Sequence, residues 1–163
     1  MVERLSTPEA TRLAAERRGD VRERMMAAIE AVWAAFGRGR VSARVSVCTC
    51  PVCMHEDVLA ELKATPAAEL APEVIREYTN SAHGVPDPPD DLKVLLPRYL
   101  ELLSAGESCD WLHMWTDLRR FGQALQDHPG LFDADQRAAL DMWLAAMLGQ
   151  SVWDGGHDPV HLF

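Results

Sequence analysis

From Leu92 to Leu103 large apolar side chains recur with the i, i+3, i+4 pattern of a helix face: Leu92, Leu95, Leu96, Tyr99, Leu102 and Leu103. That pattern puts all six on one face of a helix, and such a face must be buried against something else. The same spacing recurs in Met25, Met26, Ile29, Val32, Trp33 and Phe36, and again in Val74, Ile75, Tyr78 and Ala82. It returns in Trp111, Met114, Trp115, Leu118, Phe121 and Leu125, and in Leu140, Trp143, Leu144, Met147 and Leu148. A chain patterned in this way is expected to be mainly α, a single-domain helical bundle of about five to seven helices over residues 1–163.

Local signals place the ends of these helices. Thr7 as N-cap, Pro8 and Glu9 open a helix over 8–36 that Gly37 can end. A short helix over 56–64 should begin with Glu56 and Asp57 at the positive end of its dipole. Pro72 starts another, running to Gly84, and the triple-proline stretch "VPDPPDD" follows as a stiff linker. Pro97 lacks the backbone donor a helix interior needs, so the helix from Asp91 to Gly106 should kink or split there. Ser108 is placed to cap a helix over 108–125, and Asp133 one over about 133–149. Val41, Ala43, Val45 and Val47 alternate with polar residues, the period of an extended segment. The end of the chain, 154–163, follows two glycines and is expected to be a loosely held tail.

With 163 residues and 48% apolar content the chain has material for a core without a disulfide framework. No apolar run approaches the roughly 20 residues that span a bilayer, and the first residues lack an apolar signal core; these features point to a cytoplasmic protein without membrane contact. The net charge of −9 is unevenly spread, since residues 1–45 hold nine Arg against six acids and the rest hold seven basic residues against nineteen acids. An acidic surface repels phosphate, so nucleic acid is disfavoured as a partner apart from a basic group at Arg38, Arg40 and Arg44. Arg17, Arg18, Arg22 and Arg24 read as the solvated face of the first helix, beside Glu16, Asp20 and Glu23.

The chemistry concentrates in "SVCTCPVCMHED", where Cys48, Cys50 and Cys53 lie within six positions and His55 follows. The two-residue gap between Cys50 and Cys53 lets a tight turn aim both sulfurs at one ion, and Cys48 reaches the same point from the extended side. A tetrahedral zinc site then needs one more ligand. The sequence offers His55, His83 at a helix end, and Cys109 or His113, which stand four apart and so share one helix side. A structural zinc site is the favoured reading of this cysteine-rich loop. An iron–sulfur centre with Cys109, a redox couple of Cys50 and Cys53, and three thiols packed without chemistry are the alternatives. Cys50-Pro-Val-Cys53 before a helix resembles the C-P-x-C of glutaredoxins over those four residues, but the βαβ pattern around that motif is absent here.

Two other groups look like sites when read as letters. Ser81 and His83, near Tyr78 and Asn80, are two apart and face different ways on a helix, which does not make a nucleophile and base. His157 and His161, beside Asp154 and Asp158, are separated by Pro159, so they share no continuous helix.

At "CTCPVC", followed by "TPAAELAPEVIREYTNSAHG" and "DDLKVLLPRYLELL", the chain resembles a group of uncharacterised bacterial proteins. These share a cysteine cluster of C-x-x-C type, a Tyr-containing helix and a helix with L-P-R-x-x-E-L. The resemblance spans residues 48–103 and implies one helical unit around the cysteines, with no established activity to carry over. Together these readings describe a small zinc-binding helical protein that serves as a binding or regulatory module for a protein partner. A metal- or thiol-dependent enzyme and a thiol-redox protein are the competing readings, and the oligomeric state is left open.

Overall fold

Thr7–Phe36 forms α1, a helix of 30 residues. Gly37 ends it with a φ of 81° and an N–H that reaches the Trp33 carbonyl at 2.9 Å. A residue with a Cβ would be strained in that left-handed position. The computed structural model describes residues 7–45, 47–81, 89–107 and 119–153, and among them there are five further α-helices. These are α2, Glu56–Ala64; α3, Pro72–Asn80; α4, Pro89–Ser104; α5, Arg119–Asp127; and α6, Ala134–Trp153. A single 3-10 turn, Ala67–Glu69, links α2 to α3. The protein is mainly helical, as the apolar spacing requires.

The core is built on α1, α4 and α6. The end of α1 meets the start of α6: the Gln136 side-chain amide donates to the Ala35 carbonyl at 3.3 Å, and Phe36 packs edge-on against Phe132 at 5.3 Å. The two helices therefore run antiparallel and make the most extensive helix pairing of the described residues. Ala28, Val32 and Trp33 of α1 join Ala139, Trp143 and Met147 of α6 and the leucine face of α4 in one buried cluster. The Trp143 indole N–H donates to the Ser104 hydroxyl at 2.9 Å, and that hydroxyl donates to the Leu100 carbonyl at 2.7 Å. A buried indole donor is thus satisfied by the last turn of α4.

Several expectations are corrected. Of the two outcomes expected at Pro97, the split does not occur: α4 continues as one helix from Pro89 to Ser104 with Pro97 inside it. A proline inside a helix costs about 3 kcal/mol, and the leucines buried on either side, at about 1.5–3 kcal/mol each, together outweigh it. The alternating run is broken by a turn: the Val45 N–H turns back to the Ser42 carbonyl at 3.0 Å, leaving Ala43 and Arg44 exposed. Val41, Val45 and Val47 are nevertheless all buried, so the segment is pinned to the core by its valines. Helix α3 stops at Asn80, before the expected Gly84, with Ser81 already extended. Met26, at 61% exposure, together with Leu125 and Leu144, points to solvent despite helical spacing. The expected helix over 108–125 falls within the described residues only from Arg119, and the tail from 154 lies outside them.

The layout also fixes what surrounds the cysteines. The 3-10 turn is tied to the loop after α1 by the Ala67 N–H on the Gly39 carbonyl at 2.8 Å. Arg98 of α4 donates to the Leu70 carbonyl at 3.0 Å and pairs with Glu101 at 2.6 Å. The three thiols lie on the non-helical stretch between α1 and α2.

Candidate metal centre

Val47 and Met54, both buried, bracket the cysteines, and Met54 is wholly inaccessible. Two nested backbone hydrogen bonds shape what lies between them. The Met54 N–H donates to the Cys48 carbonyl at 3.2 Å, and inside that loop the Cys53 N–H donates to the Cys50 carbonyl at 2.9 Å. Pro51 and Val52 form the tip of the inner turn, where proline's fixed φ suits the first central position. The result is a loop with buried feet and an exposed crown: Cys48 and Cys53 are half-buried and Cys50 is exposed.

The three Sγ atoms lie within 4.8 Å of one another. Thiolates at about 2.3 Å from a tetrahedral ion stand about 3.8 Å apart, so small side-chain adjustments would bring all three onto one ion. None of the three is in a disulfide. Cys48, Cys50 and Cys53 are thus close enough to bind a metal ion together, and they are the one such group of His, Cys, Asp or Glu among the described residues.

Electrostatics favour a thiolate at the exposed position. The Cys50 thiol is drawn down to about 7, first by the Val52 N–H, then by hydrogen bonds with the Cys48 and Cys53 thiols, with the Cys53 N–H adding a smaller pull against slight desolvation. A sulfur ringed by donors is what a metal-ligating or reactive cysteine needs, because the thiolate is the binding and attacking form. Directly after the loop, α2 begins with Glu56 and Asp57 in its first turn and His55 as N-cap.

The remaining candidates divide. His55 is exposed, its ring stands apart from the sulfur group, and its backbone N–H donates to the Glu77 carboxylate at 3.3 Å. That bond ties the entry of α2 to α3. His83, Cys109 and His113 lie outside the described residues, as do His157 and His161. Asn80 and Ser81 serve the end of α3: the Asn80 amide donates to the Arg76 carbonyl at 2.7 Å and the Ser81 hydroxyl to the Glu77 carbonyl at 2.6 Å. Tyr78 is buried in the core. Arg38, in the basic group near the end of α1, is engaged within the chain, 3.5 Å from Glu30 and 5.1 Å above the Trp33 ring.

Sequence reasoning missed two neighbours of the loop. Asp91, in the first turn of α4, is 2% exposed and accepts the Ser42 N–H at 2.6 Å, which fixes the segment leading to the cysteines. Glu77 of α3, which the spacing does not single out, holds the His55 backbone. Neither contact has a short-range signal, since the partners are 49 and 22 residues apart.

No helix of the described residues is long and apolar enough to cross a membrane. Comparison with protein-family models, with curated proteins and with solved structures finds no match to this chain.

Proposed function

We propose that this chain is a zinc-binding helical module of the cytoplasm. In this reading Cys48, Cys50 and Cys53 supply three thiolates, and His55, His83, Cys109 or His113 completes the tetrahedron. The observation that carries it is the convergence of three sulfurs within 4.8 Å on a loop clamped by two backbone hydrogen bonds. Zinc is favoured by the donor set: soft thiolates with a C-x-x-C turn suit its tetrahedral preference, and the spacing fits no usual ferredoxin pattern. The metal would staple the 41–55 segment, which lies outside the helices, and so hold a surface in shape for a protein partner. The acidic remainder of the chain supports a protein partner over nucleic acid.

Elemental analysis of protein purified without added metal tests this reading. About one zinc per chain is expected, falling to near none in Cys50→Ser and Cys53→Ser. Cobalt substitution should give intense sulfur-to-metal charge transfer and the visible bands of a four-coordinate ion. Metal-free protein that does not take up zinc or cobalt would sink the idea. A thiol-redox protein is the second reading, favoured by the exposed Cys50 with its thiol drawn down to about 7. It requires a reversible Cys50–Cys53 disulfide in protein that binds no metal.

A further inference from the structure

We infer that the cysteine turn is a peroxide-sensitive metal site: oxidation closes Cys50 and Cys53 into a disulfide and expels the ion, leaving Cys48 as the one thiolate of the loop. This inference rests on the metal-binding reading and adds how the site would be regulated. Its basis is the asymmetry of the loop. Cys50 is exposed, and beside it Val52 at the tip is 91% exposed, so among the described residues nothing roofs the sulfur that a small oxidant meets first.

The partner for Cys50 is set by the backbone. The Cys53 N–H on the Cys50 carbonyl, at 2.9 Å, draws the two residues into one four-residue turn. Turns of that kind keep the end Cα atoms under about 7 Å apart, within the span a disulfide bridges. Cys48 is held differently: its carbonyl is taken by Met54, whose side chain is wholly buried, so its backbone is fastened to the core side of the loop.

The chemistry needs a peroxide as oxidant and balances in two steps. The Cys50 sulfur attacks one oxygen of hydrogen peroxide, the O–O bond breaks, and the departing hydroxide takes a proton and leaves as water; Cys50 is then a sulfenic acid. The Cys53 sulfur attacks the Cys50 sulfur, the S–O bond breaks, and a second proton carries away the second water. Two thiolates have lost two electrons and the peroxide has gained them. A single remaining thiolate in the loop does not retain zinc.

The test uses the full chain loaded with zinc and treated with hydrogen peroxide, with released zinc read by a chelating dye and the protein by mass spectrometry. Zinc is expected to appear in step with disulfide formation, the metal-free protein being about 2 Da lighter than its reduced form, and dithiothreitol should restore both thiols and zinc uptake. In metal-free protein the mass loss should persist in Cys48→Ser. In Cys53→Ser it should be replaced by a Cys50 sulfenic acid that dimedone traps. Zinc held while the thiols survive peroxide overturns the inference, and so does a disulfide mapped to Cys48 or Cys109. A chain that takes up no zinc at all fails the metal-binding reading, and this one with it, before any peroxide is added.

Discussion

A carboxyl group buried to 2% exposure with one oxygen bonded and the other, among the described residues, meeting no donor is in an environment that suits its neutral form. Asp91 is in that position. Burial pushes its carboxyl above the usual range, assisted by Asp90, while the Ser42 N–H and Lys63 pull the other way. The folded state therefore holds the Asp91 proton more tightly than the unfolded chain, so protonation favours folding. That contribution is complete below the ordinary carboxylate range and is lost as pH rises through the folded-state value. Asp91→Asn keeps an oxygen for the Ser42 N–H and cannot ionise. Urea unfolding of both proteins across pH should show the variant gaining on the parent from about pH 4 upward, then levelling once Asp91 has ionised. A difference that does not change with pH would mean that the folded structure imposes no shift on this group.

Among the elements, the junction of α1 and α6 is held by side chains whose roles are separable. Asp133 Oδ1 accepts the Gln136 N–H at 2.9 Å and Gln136 Oε1 accepts the Asp133 N–H at 3.3 Å, a reciprocal cap at the start of α6. Gln136 also donates to the Ala35 carbonyl, one of the orphan acceptors in the last turn of α1. Asp133→Ala should cost about 1 kcal/mol, a fall of about 2–4 °C in Tm for a chain of this size. Gln136→Ala should cost more, because it removes the cap and the bridge together from a buried position. Equal losses would show that the Ala35 bond contributes nothing. Asp133 was legible as a cap because capping is written within four residues, and the apolar spacing of α4 was legible because a helix face is set by its own residues. Met26, Leu125 and Leu144 were not, since spacing names a face while its width depends on the neighbouring helix. The turn at Ser42 was hidden for a similar reason: it is stabilised by Asp91, far along the chain.

For the molecule as a whole, the cysteine loop and the helical core are different in kind. A chain of about 150 residues already buries about 70% of its unfolded surface, whereas zinc fingers are small enough to unfold without their ion. Here α1, α4 and α6 supply much of the buried cluster, while the loop contributes Val41, Val45, Val47 and Met54 to it from outside the helices. If the loop holds the zinc proposed for it, removing that ion should loosen 41–55 and leave the bundle standing. With a chelator present, far-UV circular dichroism is expected to keep its helical signal. Amide exchange should speed up at Cys53 and Met54, whose N–H groups close the loop, while Leu95 to Leu100 of α4 stay protected. Zinc at a hundredfold excess over its dissociation constant would oppose that local opening by about 2.7 kcal/mol, roughly a hundredfold slower exchange at those two amides. Cooperative loss of the whole helical signal on chelation would instead make the metal a condition of the fold, and a loop whose exchange ignores zinc would remove its role as a staple.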